Sequence, residues 1–155
     1  MKLKDYLNKF DLAKVKINLG YAEFEIEFND KDADAAWDMY VELITRVAIQ
    51  KLPEDSGDER SALDSVYSLF GSTRSILKQY GRSAQQFSKI AIIVLNQIIR
   101  PFTAKWHKIA IDEKNTLGVQ FRKELEALQI DLQNYARLLA DIAKVEDISS
   151  ISADL

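Results

Sequence analysis

The sequence predicts a mainly α protein, an up-down-up-down four-helix bundle carrying an N-terminal β-hairpin. Three observations lead there. Four long stretches repeat apolar residues every three or four positions. The links between them are short, which favours antiparallel neighbours. Residues 14–28 instead alternate apolar and polar side chains, with a glycine between the two alternating runs. With 155 residues the chain fits one domain, 1–145, followed by a flexible C-terminal tail, 146–155.

Leu3, Tyr6, Leu7 and Phe10 have helical spacing and predict a short amphipathic opening. In the hairpin, Val15, Ile17 and Leu19 alternate with Lys16 and Asn18, and Ala22, Phe24, Ile26 and Phe28 alternate with Glu23, Glu25 and Glu27. Gly20 supplies the turn, and Lys14 and Lys16 are expected to pair with the glutamates across it. Asn29 or Asp30 is placed to cap the first long helix, whose seam reads Ala33, Trp37, Tyr40, Ile44 and Val47 and which should stop near Leu52, before Pro53. After the turn PEDSG, Ser56 and Glu59 form a capping box for a second helix with the seam Ala62, Val66, Leu69, Thr73, Ile76 and Tyr80, closed by Gly81.

Ser83 and Gln86 form another capping box and open the stretch 83–111, which reads as the buried hub of the bundle. Phe87, Ile90, Ala91, Val94, Leu95, Ile98, Phe102, Trp106 and Ile109 share one broad face, and Ile92, Ile93 and Ile99 widen it. A narrow polar strip remains: Gln85, Lys89, Asn96, Arg100, Thr103 and His107. Pro101 lies inside this pattern and deletes the amide that would bond Gln97, which predicts a kink or break near Arg100. The turn DEKNTLG leads to the last helix, whose seam of Phe121, Leu125, Leu128, Leu132, Tyr135, Leu139 and Ile142 is the most regular in the chain.

Composition excludes much chemistry. There is no cysteine, so no disulfide, thiolate nucleophile or Cys-based metal site. A single histidine rules out a two-histidine zinc helix and the paired Glu-x-x-His motifs of di-iron bundles. No glycine-rich phosphate loop is present. Carboxylates at Asp30, Asp32 and Asp34 are the one remaining metal arrangement, and neither a metal nor a cofactor is expected. The N-terminus lacks the apolar core of a secretion signal, and the longest apolar run, 90–95, is far short of the roughly 20 residues that span a bilayer. A cytoplasmic protein without membrane contact is expected.

The net charge of −3 is unevenly distributed. Between positions 65 and 111 there are seven basic residues and no Asp or Glu, which leaves 14 basic and 24 acidic residues elsewhere. The middle of the chain is therefore expected to meet something negative: its own acidic flanks, another subunit or an anionic ligand. Asn96, Arg100, Thr103 and His107 are the best polar constellation for that role, offering an amide, a guanidinium, a hydroxyl and an imidazole along one strip. The plainer alternative is a solvated strip on a buried helix. His107 could also serve as a general base or pH switch, although no acidic residue sits beside it in sequence. Trp106 completes the candidate set, although it and Trp37 also suit the core.

No catalytic set emerges. The leading function is a non-enzymatic protein-protein interaction or accessory module that binds a partner or another copy of itself through 83–111 and its basic surroundings. The alternative is a pocket around Arg100 and His107 for a small or anionic ligand, as a binding protein or enzyme. Nucleic acid is disfavoured, because the chain is acidic overall and no aromatic platform accompanies the cations. The run RPFTAKWHK, with IAIIVLNQ before it and the ALDSVYSLF segment, resembles small uncharacterised bacterial helical-bundle proteins in which arginine-proline-phenylalanine is followed by tryptophan-histidine. That resemblance implies no activity, cofactor or catalytic residue. It is compatible with an accessory role beside larger bacterial machines, including defence systems.

Overall fold

The first helix, α1 (Leu3–Lys9), buries Leu3, Tyr6 and Leu7, the residues whose spacing predicts it. A computed structural model describes residues 1–12, 15–46, 49–53, 58–111 and 117–151. Five features expected from sequence lie outside them: Lys14, Val47, Ser56, the turn residues 112–116 and the last four residues of the tail.

The expected β-hairpin at 14–28 is not formed. Among the described residues there is no β-strand, only an isolated antiparallel bridge between Lys2 and Glu25. Where the hairpin turn was expected the chain forms a short helix, α2 (Leu19–Ala22), started by the Asn18 side chain, which accepts from Gly20 N at 2.9 Å. The physical reason lies in where the backbone groups find partners. Gln97 takes both groups of Lys16, accepting from its N–H at 2.8 Å and donating to its carbonyl at 2.7 Å. The second alternating run pairs instead with the chain start: Leu3 N donates to Phe24 O and Ile26 N to Met1 O, each at 2.8 Å. Glu23 and Glu25 accordingly meet Lys2 and the N-terminal amine rather than lysines of a neighbouring strand.

The long elements are α3 (Asp30–Ile44), α4 (Glu59–Tyr80), a continuous rod made of α5 (Gln85–Val94), a π turn (Leu95–Ile99) and α6 (Arg100–Ile111), and α7 (Gly118–Ala143). Long helices consecutive in the chain run in opposite directions. Met39 meets Thr73 while Arg46 meets Ser68 across α3 and α4; Arg60 reaches the Ala110 carbonyl across α4 and α6; Lys105 reaches Glu124 across α6 and α7. The tightest packing is of α3 on α7, and α3 also contacts α4 and α5. The hub is therefore α3 rather than 83–111, whose Ile92 is 46% exposed. No helix among the described residues is long and apolar enough to cross a membrane.

The start of α3 explains its phase. Asn29 and Asp32 form a reciprocal capping box, each side chain accepting from the other's backbone N–H, at 2.8 and 3.0 Å. The other oxygen of Asp32 accepts from Phe87 N at 2.9 Å, and Asn29 donates to the Ser83 carbonyl at 3.0 Å. Asp32 is 0% exposed. Facing it inward turns Ala35, Ala36, Met39, Tyr40 and Leu43 to the core, and Trp37, expected in the seam, lies 44% exposed on α3's outer face. The helix ends at Ile44, short of the expected Leu52.

α4 is capped by Asp58, which accepts from Arg60 N and Ser61 N, and it buries the expected residues from Ala62 to Ile76 before stopping at Gly81 with φ +57°. α5 has no cap of its own at Ala84, so the expected Ser83–Gln86 box is absent; Asp32 supplies the acceptor from another helix. All seven expected seam residues of α7 are buried, and beyond it Tyr40 bonds Asp147 and the amide of Ile148 at 2.9 and 2.7 Å.

The rod does not break at Pro101. It widens just before it, and Arg100 N bonds the carbonyl of Leu95, five residues back. Ile90, Val94, Ile98, Phe102 and Trp106 are all buried, at every fourth position. In a straight α-helix four such steps would rotate the side chains by about 160°. One π turn returns about 100° of this, a single residue's rotation, and keeps the stripe facing inward.

Asp32→Ala should orphan the amides of Asn29 and Phe87 together. Urea unfolding is expected to show a loss of about 3 kcal/mol, one cap and one stranded amide. The exposed Asp34→Ala should stay within about 0.5 kcal/mol.

Candidate functional site

The antiparallel pair of α4 and the α5–α6 rod leaves an open groove of about 900 Å³ between them. From α4 come Tyr67, Phe70, Arg74 and Leu77; from the rod come Ile92, Leu95, Asn96, Arg100, Thr103, Ala104, His107 and Ile111. Four of the five candidates named from sequence, Asn96, Arg100, Thr103 and His107, line it together. Trp106 does not. It is buried on the opposite side of α6, edge-on to Phe121 with ring centroids 5.2 Å apart.

Arg100 is held from two directions. Its guanidinium carbon lies 4.8 Å from the centroid of the Phe70 ring, and its Nε donates to Asn96 Oδ1 at 3.1 Å. Neither Arg100 nor Arg74 has a carboxylate partner among the described residues, and no Asp or Glu lines the groove. By contrast Lys105, another cation of the same basic stretch, is bound by both oxygens of Glu124, at 2.7 and 2.9 Å. One part of that stretch is thus neutralised by an acidic flank, while the groove keeps its charge.

Thr103 is 3% exposed, and its hydroxyl bonds back to the carbonyls of Arg100 at 3.1 Å and Ile99 at 3.4 Å. His107 packs edge-on against Tyr67, centroids 4.7 Å apart, and its Nε2 is buried without a hydrogen-bond partner among the described residues. A groove ligand can meet the ring only through Nδ1 or its carbons. Among the described residues no Asp or Glu lines the groove beside the imidazole, and the Thr103 hydroxyl is engaged with backbone.

The α4 half of the groove is what sequence reading missed. A signal was present: Tyr67, Phe70, Arg74 and Leu77 are spaced by three, four and three, one position beyond the buried seam. On the metal question, Asp32 is committed to two helix caps, and Asp34 lies 3.7 Å from Lys31. Among the described residues no three acidic or histidine side chains are placed to share an ion.

No protein-family model matches the chain, and no curated protein or solved structure matches it.

Truncation should separate core from groove. Trp106→Ala is expected to cost about 3–5 kcal/mol in chemical unfolding. Arg100→Ala, which removes an exposed cation from over Phe70, should cost no more than about 1 kcal/mol.

Proposed function

We propose that the protein is a cytoplasmic, non-enzymatic interaction module whose α4/α6 groove receives an acidic amphipathic helix of a partner protein. The observation that carries this reading is the groove itself: Arg100 lies over Phe70; Arg74, Leu77 and Leu95 line the same groove; and neither arginine has a carboxylate partner among the described residues. Helix-in-groove recognition needs an apolar trough of this kind, and the arginines favour acidic residues beside the partner's apolar stripe. Asn96 and Phe70 already restrict Arg100, which lowers the ordering cost of binding. A small anionic ligand fits the same chemistry less well, because a groove of about 900 Å³ lies at the upper end of the size range of small-molecule sites.

Self-association is the second reading, and a specific surface favours it. Asp34, Trp37, Asp38 and Val41 lie on the outer side of α3, an acidic apolar face of the kind the groove would accept, with Trp37 and Val41 exposed.

Fluorescence anisotropy with a labelled amphipathic helix of glutamate and leucine should show saturable binding that weakens as salt rises. Arg74→Glu with Arg100→Glu should weaken it at least about tenfold. Equal binding of a peptide with every glutamate changed to glutamine would sink the electrostatic basis. Light scattering at tens of micromolar decides the second reading, which a strictly monomeric protein would remove.

A further inference from the structure

On the other side of Ile92 lies a separate, smaller hollow of about 460 Å³. Its walls are Leu3 from α1, Ile17 and Tyr21 from the segment that replaces the expected hairpin, Phe24 after α2, and Ile92 and Ile93 from α5. The wall is held in place. Gln97, projecting from the π turn, spends both ends of its amide on the backbone of Lys16, and the start of α2 is fixed by Asn18. Tyr21 and Phe24 are exposed there, 57% and 39%, and meet edge-on with centroids 5.3 Å apart.

The hollow carries charge of one sign. Lys16 and Lys89 line it and no Asp or Glu does. The Lys89 ammonium sits 4.8 Å from the Phe24 ring centroid and 3.2 Å from Gln86 Oε1, so it has no carboxylate counterion in those contacts. The space is in the size range of small-molecule sites and is about half the volume of the α4/α6 groove. We infer that this hollow is a binding site for a medium-chain fatty carboxylate, its chain laid between Ile17, Phe24 and Ile93 and its head group held by Lys16 and Lys89. The occupant's apolar body matches the aliphatic and aromatic walls, and its single negative charge matches the Lys89 ammonium beside Phe24 and the second lysine of the lining, Lys16. The site is distinct from the groove and does not depend on it.

Calorimetry with the full chain and monomeric octanoate, nonanoate and decanoate tests the assignment. Affinity should rise by about fourfold per methylene, the transfer free energy of one CH₂ expressed as a ratio. Lys16→Gln with Lys89→Gln should weaken decanoate at least tenfold while circular dichroism stays unchanged, and should leave 1-decanol unaffected. Decanoate binding should survive Arg74→Glu with Arg100→Glu, which separates this site from the groove. The proposal is overturned if decyltrimethylammonium binds as tightly as decanoate, if the double lysine variant binds decanoate normally, or if binding begins only where the amphiphile forms micelles.

Discussion

The carboxylate of Asp32 joins α3 to α5, and the direction of the other long helices follows from that junction. One oxygen closes the first turn of its own helix and the other closes the first turn of α5, which has no cap in its own sequence. Two positive helix ends therefore share one buried negative charge, and this compensates for its desolvation. Because the starts of α3 and α5 are fixed together, α4 must run back between them. The face that α4 turns toward α6 becomes one wall of the groove.

The π turn does for the outer surface what Asp32 does for the bundle. It places Asn96 and Gln97, both exposed, next to each other on the rod but assigns them different tasks. Asn96 steers Arg100 over Phe70, and Gln97 clamps the backbone of Lys16. The groove and the smaller hollow are thus shaped by adjacent residues of a single irregular turn, with Ile92 forming part of both walls.

Helical periodicity was legible wherever burial follows a plain three-four repeat. The seams of α4 and α7 are such cases, and so is the convergence of Asn96, Arg100, Thr103 and His107. Three features were not legible, each for a definite reason. The alternation at 15–28 does not say whether a neighbouring strand or the amide of Gln97 will satisfy the backbone, and Phe24, expected on the apolar face, is 39% exposed. The phase of α3 differs by one residue from the expected seam because the long-range amide of Phe87 draws Asp32 inside, which the spacing of apolar residues does not report. The stretch 83–111 looked apolar on nearly every side because its buried positions recur every four residues, a spacing that drifts around a straight helix and becomes one stripe only when the π turn is included.

A helix interrupted in this way has a reading frame as well as a composition. Wound as ordinary α-helix at its full length, the stretch from Leu95 to Ile99 would swing the segment carrying Arg100 and His107 by about 100° relative to Phe87 and Ile90. Every side chain would still be present and the two surfaces would no longer coincide. How that short stretch is wound is as much a determinant of the site as the identity of any residue in it.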